Sequence, residues 1–342
     1  KMKPVIRTIL RSSVYQMRYM DSVPDRAVCN EAVKVAAKRG FVNLKGFVNG
    51  VLRTISRNRE DIQLPDKTDM VTYLSIVYSL PEWLEKQWLA VYDADTVETM
   101  GKAFLENKKT TIRKSPKAGD TTEFVKRLET EGVIVEPETQ MKDVVYISGY
   151  DYLEKLQTFR NGEFYVQDIS SMQVAEWADP KAGDVIIDVC AAPGGKSIHL
   201  AEKLDGTGMV EARDLTEYKV ELLQENIERS GLTNICARVQ DATVKDPESV
   251  GNADIVIADL PCSGLGILGR KPDLRYKMTP MMQEELVKLQ REILKVVCEY
   301  VKPGGKLLYS TCTIHKAENE DNTAWFQKEH PEFHLQKEKQ IL

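Results

Sequence analysis

A chain of 342 residues, 42% hydrophobic and 29% charged, is globular in composition and long enough for two or three ordinary domains. No apolar run approaches the ~20 residues of a membrane span. The six cysteines (Cys29, Cys190, Cys236, Cys262, Cys298 and Cys312) form no CxxC pair, which argues against a zinc site or a disulfide framework and for reduced thiols.

The net charge of −5 is unevenly spread. Residues 1–60 hold thirteen Lys/Arg against four Asp/Glu, a net of +9, which leaves −14 for the remainder. A basic end on an acidic chain points to a polyanion partner such as nucleic acid. No signal peptide opens the chain, so a soluble cytoplasmic protein is expected, with a monomer as the default. The first residue is Lys1 and not Met, so the natural start is expected upstream.

Residues 1–57 read as helices. Val5, Ile6, Ile9, Leu10, Val14 and Met17 recur at helical spacing, as do Phe47, Val48, Val51, Leu52 and Ile55. Between them Pro24 opens a helix that Gly40 ends. Residues 58–69, with Pro65, read as a linker. Residues 72–106 are helical in pieces, one opened by Pro81. Thr110–Lys114 is a short strand, 121–131 a helix ended by Gly132, and Val133–Val135 a strand, which together suggest a small α/β domain. Its Lys108, Lys109, Arg113, Lys114 and Lys117 are either phosphate contacts or ordinary surface charge.

From about residue 165 strands alternate with helices of 12–20 residues. Strands are expected at Val185–Val189, Met209–Ala212, Ile235–Val239, Ile255–Ala258 and Lys306–Tyr309, the last as a buried strand. Helices are expected through Leu204, over 216–230 and over about 280–301. The pattern implies a doubly wound, mostly parallel sheet, in which ligands bind outside the carboxyl ends of the strands.

Every chemically notable residue falls at such an end. The first strand runs into Asp188-Val-Cys-Ala-Ala-Pro-Gly-Gly-Lys196. Paired glycines let backbone approach a ligand, and the helix that follows offers its N-terminus. Neither GxGxxG nor GxxxxGK[ST] is present, which weakens dinucleotide and P-loop readings. Asp214 ends the second strand, where an acid accepts bonds from ribose hydroxyls, and Asp241 after the third sits where an adenine would lie. Acids at successive strand ends point past helix caps and turns to a nucleoside cofactor without phosphate, S-adenosylmethionine.

The fourth strand ends Asp259-Leu-Pro-Cys-Ser-Gly264, where amino-group methyltransferases carry Asp/Asn-Pro-Pro-aromatic. A thiol there suggests attack on a ring carbon. Cytosine carbon 5 is a poor nucleophile until a thiolate adds to carbon 6, and the adduct needs proton donation near ring nitrogen 3, for which Asp259 is the nearest candidate. A second thiol closes the fifth strand in Tyr309-Ser-Thr-Cys-Thr313, and the residues alone leave open which of Cys262 and Cys312 attacks. Cys29, Cys236 and Cys298 read as small buried hydrophobes, Cys298 in mid-helix.

Taken together, residues 188–196, 259–264 and 309–313 resemble the Sun/Fmu family of RNA cytosine-5 methyltransferases, most of all its bacterial members that act on 16S rRNA. Arg160-Asn-Gly and Val166-Gln-Asp-Ile-Ser-Ser171 are similar to that family's approach to the first motif. The resemblance implies three parts: an all-α NusB-like RNA-binding segment (1–60), a small RRM-like α/β RNA-docking domain (65–160), and a Rossmann-like S-adenosylmethionine-dependent methyltransferase domain (161–342). It implies that Cys312 is the nucleophile, that Cys262 assists product release, that Asp259 contacts the base, and that Lys196 lies in the same pocket. The implied cofactor contacts are Cys190, Ala191, Ala192, Pro193, Gly194, Gly195, Lys196, Asp214, Asp241 and Asp259. The resemblance places Arg270, with Lys271 beside it, near the RNA, and Arg113 and Lys114 of the small domain are the further candidate RNA contacts by their charge; no metal, DNA or membrane partner is expected.

The family's NusB-like part is longer at its start, and its catalytic domain closes with an Asp-Gly-Phe-Phe strand that this chain lacks, so trimming at both ends is expected. His199 and His315 carry no family role and are expected at the surface or in packing. Glu318-Asn-Glu-Asp321 is expected only to start a capped helix. The alternatives are the same chemistry on tRNA or another rRNA cytosine, and a non-catalytic RNA-binding assembly factor. Intact Cys262, Cys312, Asp259 and Lys196 argue against the latter. A DNA methyltransferase, which does not need the Ser-Thr-Cys-Thr thiol, stands further off.

Overall fold

A computed structural model describes residues 2–61, 63–106, 109–137 and 141–340, and Lys108 lies outside them. The chain divides into two compact units, Lys1–Val77 and Tyr78–Leu342.

The first unit is helical: α1 (Pro4–Tyr19), α2 (Asp25–Lys38), α3 (Lys45–Arg57) and α4 (Met70–Val77). Pro4 stands at the start of α1, where its missing N–H costs nothing. Pro24 precedes α2, and Gly40, at φ 85°, makes the left-handed turn beyond its end. Ile6, Ile9, Leu10 and Met17 of α1 pack with Val28, Cys29, Ala32 and Ala36 of α2 and Val48 and Leu52 of α3. Val5 and Phe47, which share the apolar spacing, are exposed. Arg59 donates to the Met17 carbonyl at 2.6 Å, holding the end of α1.

The second unit begins with α5 (Glu82–Leu89) and α6 (Ala94–Ala103). There follow β1 (Thr110–Lys114), α7 (Thr121–Thr130), β2 (Ile134–Pro137), β3 (Val144–Ser148), α8 (Gln157–Arg160) and β4 (Phe164–Val166). The antiparallel order β2-β3-β1-β4 with this βαββαβ sequence is the split βαβ arrangement of RRM-like domains. Ile112, Val145, Ile147 and Phe164 of the sheet pack with Phe124 and Leu128 of α7.

The remaining elements are α9 (Ile169–Ala178), β5 (Val185–Asp188), α10 (Gly195–Lys203), β6 (Met209–Asp214), α11 (Glu217–Ser230), β7 (Ile235–Val239), β8 (Ala253–Asp259), α12 (Leu274–Lys277), α13 (Pro280–Val297), β9 (Val301–Ser310) and α14 (Glu320–Glu329). The strands form one parallel sheet in the order β7-β6-β5-β8-β9, a Rossmann-like doubly wound fold. Side chains alternate faces. Ile186, Ile255 and Ile257 join a core with Ala201 of α10 and Leu223 of α11, while Ile187, Val256 and Ala258 join one with Ile293 and Val297 of α13. The order of strand addition reverses between the parallel strands β5 and β8, which opens the ligand crevice at their carboxyl ends.

Three local expectations change. β9 lies at the edge of the described sheet and is half-buried, because it pairs on one side only with β8. α13 stops at Val297, so Cys298 caps the helix and is buried there. Cys236 is exposed on edge strand β7, on the side away from the core. No described helix is long and apolar enough to cross a membrane.

Candidate active site

The turn after β5 is stitched to both neighbouring strands. The N–H of Val189 donates to the Ile257 carbonyl at 3.0 Å, and that of Ala191 to the Arg213 carbonyl at 2.8 Å. The loop crosses a cis Ala192–Pro193 bond and closes with the Gly194 N–H on the Ala191 carbonyl at 2.7 Å. Gly194 has φ 108°, a backbone conformation that favours glycine, and a Cβ there would also crowd the tip of the Leu223 side chain at 2.7 Å. α10 starts immediately afterwards and points its free N–H groups over the strand ends.

Asp214 is buried at the end of β6, and its Oδ2 accepts the Ala192 N–H at 3.0 Å. Its Oδ1 accepts the Leu215 N–H and the Lys219 ammonium at 2.8 and 2.9 Å. Asp241, half-buried beyond β7, uses Oδ1 to accept the Thr243 N–H and hydroxyl at 2.8 and 2.7 Å. Acceptors at two adjacent strand ends beside a glycine turn suit the hydroxyl and amino groups of a nucleoside. The turn has no long diphosphate cradle. Residues 190–196, Asp214 and Asp241 therefore fit S-adenosylmethionine. Burial pushes the Cys190 thiol up, which keeps it neutral and inert.

The two remaining thiols meet at the ends of β8 and β9. Paired in parallel, Asp259 lies opposite Ser310, so the residues that follow each strand run out side by side. The Cys262 and Cys312 sulfurs are 3.2 Å apart, and the Cys312 N–H donates to the Cys262 sulfur at 3.3 Å. Cys312 is exposed and Cys262 half-buried. The hydrogen bond from Cys262 pulls the Cys312 thiol below its ordinary pKa, with help from Lys196 and Lys271 against burial and Asp259. Sharing that bond and being buried hold Cys262 up, as the protonated partner. The pair therefore biases the exposed Cys312 toward its thiolate form, with the Cys262 thiol behind it.

Lys196 donates to Asp259 Oδ2 at 2.7 Å, and Ser310 donates to Oδ1 at 2.7 Å. Burial opposes the charge on Lys196, but the Asp259 carboxylate outweighs it and raises the pKa. Asp188, fully buried beneath the turn, accepts from Ser197 at 2.6 Å, and burial pushes its carboxyl up to about 6.

Two expected RNA contacts are corrected. Arg113 and Lys114 are 5% and 8% exposed. Arg113 pairs with Glu202 of α10 and donates to Gln167 at 2.9 Å, while Lys114 donates to the Gly119 carbonyl at 2.7 Å and pairs with Asp143. Their charge joins sheet and helices and is not offered to phosphate. Lys117 likewise donates to the Arg229 and Ser230 carbonyls. Arg270 pairs with Asp168, and Lys271 is exposed beside Cys312. His199 is buried, and burial lowers its pKa to about 2, so it stays neutral.

One residue carries more than its sequence signal. Glu318 is fully buried and accepts from Ser263 N–H, Ser263 hydroxyl and Gln290, with His315 Nδ1 3.1 Å away. Its only sequence signal is an acid six residues past Cys312, which reads as a helix start.

Known proteins resemble this chain along most of its length. The family model for 16S rRNA methyltransferase RsmB/F matches residues 175–341, and that for the NusB family matches residues 1–57. The chain is 40% identical over 336 residues to the probable ribosomal RNA small subunit methyltransferase B of Bacillus subtilis (strain 168), covering 97% of this chain and 74% of that protein. It is 30% identical to ribosomal RNA small subunit methyltransferase B of Serratia proteamaculans (strain 568), covering 96% and 74%. The crystal structure of PH0851 superposes with a TM-score of 0.81 at 29% identity, covering 96% of this chain and 74% of that one. NSun6 from Pyrococcus horikoshii shares the fold, with a TM-score of 0.64 at 22% identity over 73% and 87%. The chain thus belongs to the RsmB/F family of rRNA methyltransferases and is an S-adenosylmethionine-dependent RNA methyltransferase.

Proposed function

We propose that the enzyme methylates carbon 5 of a cytosine in 16S rRNA through a covalent cysteine adduct, with Cys312 as nucleophile. The observation that carries this reading is the Cys262–Cys312 pair, 3.2 Å apart, with the exposed member biased toward thiolate. S-adenosylmethionine supplies the methyl group at the turn formed by residues 190–196, with Asp214 and Asp241 as acceptors.

The Cys312 sulfur bonds to cytosine carbon 6, and the electron pair of the ring double bond moves to carbon 5, which then takes the methyl group. Asp259 contacts the base edge and passes a proton to it on the nitrogen-3 side, with Lys196 hydrogen-bonded behind it. Solvent takes the carbon-5 proton, the nitrogen-3 proton returns to Asp259, the ring double bond re-forms and Cys312 leaves as thiolate. Cys262 assists that elimination, since adduct formation removes its hydrogen-bond partner. The target base must be unpaired or flipped to reach the thiols.

The parts proposed are a helical RNA-binding segment (1–60), an RNA-docking α/β domain (65–160) and the catalytic domain (161–342). Lys271, and Arg270 when released from Asp168, are the RNA contacts nearest the thiols. The net +9 of residues 1–60 supplies salt-dependent affinity. A cytoplasmic monomer is proposed.

The test is a denaturing gel of protein, S-adenosylmethionine and purified 16S rRNA or tRNA, using wild type, Cys262→Ala and Cys312→Ala. A covalent band that accumulates with Cys262→Ala on 16S rRNA and never forms with Cys312→Ala is expected. A band that needs Cys262 and survives loss of Cys312 reverses the roles. A band on tRNA alone moves the substrate.

A further inference from the structure

We propose that the dipeptide Glu318–Asn319 is the positioning element that holds the two thiol loops in register, Glu318 fixing the Cys262 loop and Asn319 the Cys312 loop. This rests on the reading of Cys262 and Cys312 as the reactive pair.

Most of the hydrogen bonds divide between the two side chains, and His315 Nδ1, 3.1 Å from Glu318 Oε1, adds a link from Glu318 to the Cys312 side. Glu318 Oε2 accepts the Ser263 N–H at 2.9 Å and Gln290 Nε2 at 3.0 Å, and the same Gln290 amide donates to the Pro261 carbonyl at 2.9 Å. Glu318 Oε1 accepts the Ser263 hydroxyl at 2.5 Å. Residues on both sides of Cys262 are thus tied to one carboxylate. Asn319 Oδ1 accepts the Thr311 hydroxyl at 2.6 Å, and its Nδ2 donates to the Thr313 carbonyl at 2.9 Å. Residues on both sides of Cys312 are tied to one amide. The loops then join directly, because the Ser263 and Thr313 hydroxyls are 2.8 Å apart, one residue beyond the paired sulfurs.

A fully buried carboxylate is an expensive way to fill space. Burial acts to raise the Glu318 pKa, but hydrogen bonds from His315, Ser263 and Gln290 outweigh it and lower the pKa, so the residue stays ionised. The charge is kept where it fixes backbone N–H groups next to a nucleophile. A displacement of ~1 Å between reacting groups costs on the order of 100-fold in rate.

The test uses the full chain without RNA. The pH dependence of Cys312 alkylation by iodoacetamide, located by mass spectrometry, is compared for wild type, Glu318→Ala and Glu318→Gln, with S-adenosylmethionine binding as control. The groups facing Cys312 are Cys262, Asp259, Lys196 and Lys271, all retained, and His315 faces Glu318. Glu318→Ala is expected to move the alkylation midpoint up by about one pH unit and to slow RNA adduct formation by about tenfold or more, with cofactor affinity held within about twofold. Glu318→Gln is expected to restore most of both, since its oxygen can accept the Ser263 N–H and its amide can donate to the Ser263 hydroxyl.

Unchanged alkylation in Glu318→Ala would overturn the proposal. Joint loss of cofactor binding and midpoint, unrescued by Glu318→Gln, would overturn it too, by reducing Glu318 to general support of the fold. Failure of wild type to form an RNA adduct would sink the thiol chemistry alone, because alkylation reads the register independently.

Discussion

The Cys262 and Cys312 sulfurs share a hydrogen bond across 3.2 Å while Cys312 donates its own N–H to the Cys262 sulfur at 3.3 Å, so one side chain meets both the thiol and the backbone of the other. Neither residue is near the other in sequence; parallel pairing of β8 and β9 brings their strand ends together. The hydrogen bond is the largest cause of the lowered Cys312 pKa. Cys262→Ala removes it, so the Cys312 pKa rises and its thiolate fraction near neutrality falls. Alkylation of Cys312 is expected to slow several-fold at pH 7 and to converge with wild type above about pH 9. Rates indistinguishable at pH 7 would contradict the assignment of Cys262 as donor.

The turn at Gly194 makes a sharper prediction. Gly194→Ala puts a Cβ at a φ of 108° and 2.7 Å from the tip of the Leu223 side chain, so the turn is strained even where Leu223 gives way. Affinity for S-adenosylmethionine, measured by calorimetry, should fall by about tenfold or more. Gly195→Ala meets nothing closer than Gln167 at 4.0 Å and should fall much less.

Arg113 separates an RNA contact from a structural ion pair. Its guanidinium and the Glu202 carboxylate are 7% and 4% exposed. Arg113→Ala leaves Glu202 buried without its main cation and should cost about 3–5 kcal/mol of stability in denaturant unfolding. The salt dependence of RNA binding should not change. A lower slope of log affinity against log salt, with stability intact, would restore Arg113 to the RNA surface.

Asp188 gives a pH dependence whose sign is fixed by burial. Its folded pKa of about 6 lies above the ordinary 3.8, so the folded state holds the proton more tightly. That contribution is complete below about pH 4 and is lost as pH rises through about 6, with a size on the order of 3 kcal/mol. Asp188→Asn cannot titrate and keeps an acceptor for Ser197. Its melting temperature should therefore gain on wild type between pH 4.5 and pH 8. Parallel curves across that range would show that Asp188 does not titrate there.

The sequence marked the strand-end residues well because strand ends are local events. Val-Ile-Ile-Asp before a glycine turn, or Ile-Val-Ile-Ala before Asp259, carries in a few residues both the apolar run that must be buried and the residue that leaves it. The alternation of such runs with helices determined a parallel sheet, and that sheet sends Asp214, Asp241, Asp259 and both thiols to one edge. The site was legible to the extent that its residues terminate strands.

What only the tertiary structure decided is which polar groups have partners. Arg113 reads as a phosphate contact or surface charge until Glu202, 89 residues away, is seen to meet it. Cys236 reads like Cys298 until one is found on an exposed strand edge and the other at a buried helix end. Glu318 reads as a helix start, and only the folded chain places Ser263, 55 residues earlier, on its carboxylate. Apolar burial follows from local periodicity, because any core will satisfy a hydrophobic face. A buried charge needs particular donors at particular distances, and long-range chain topology alone supplies them.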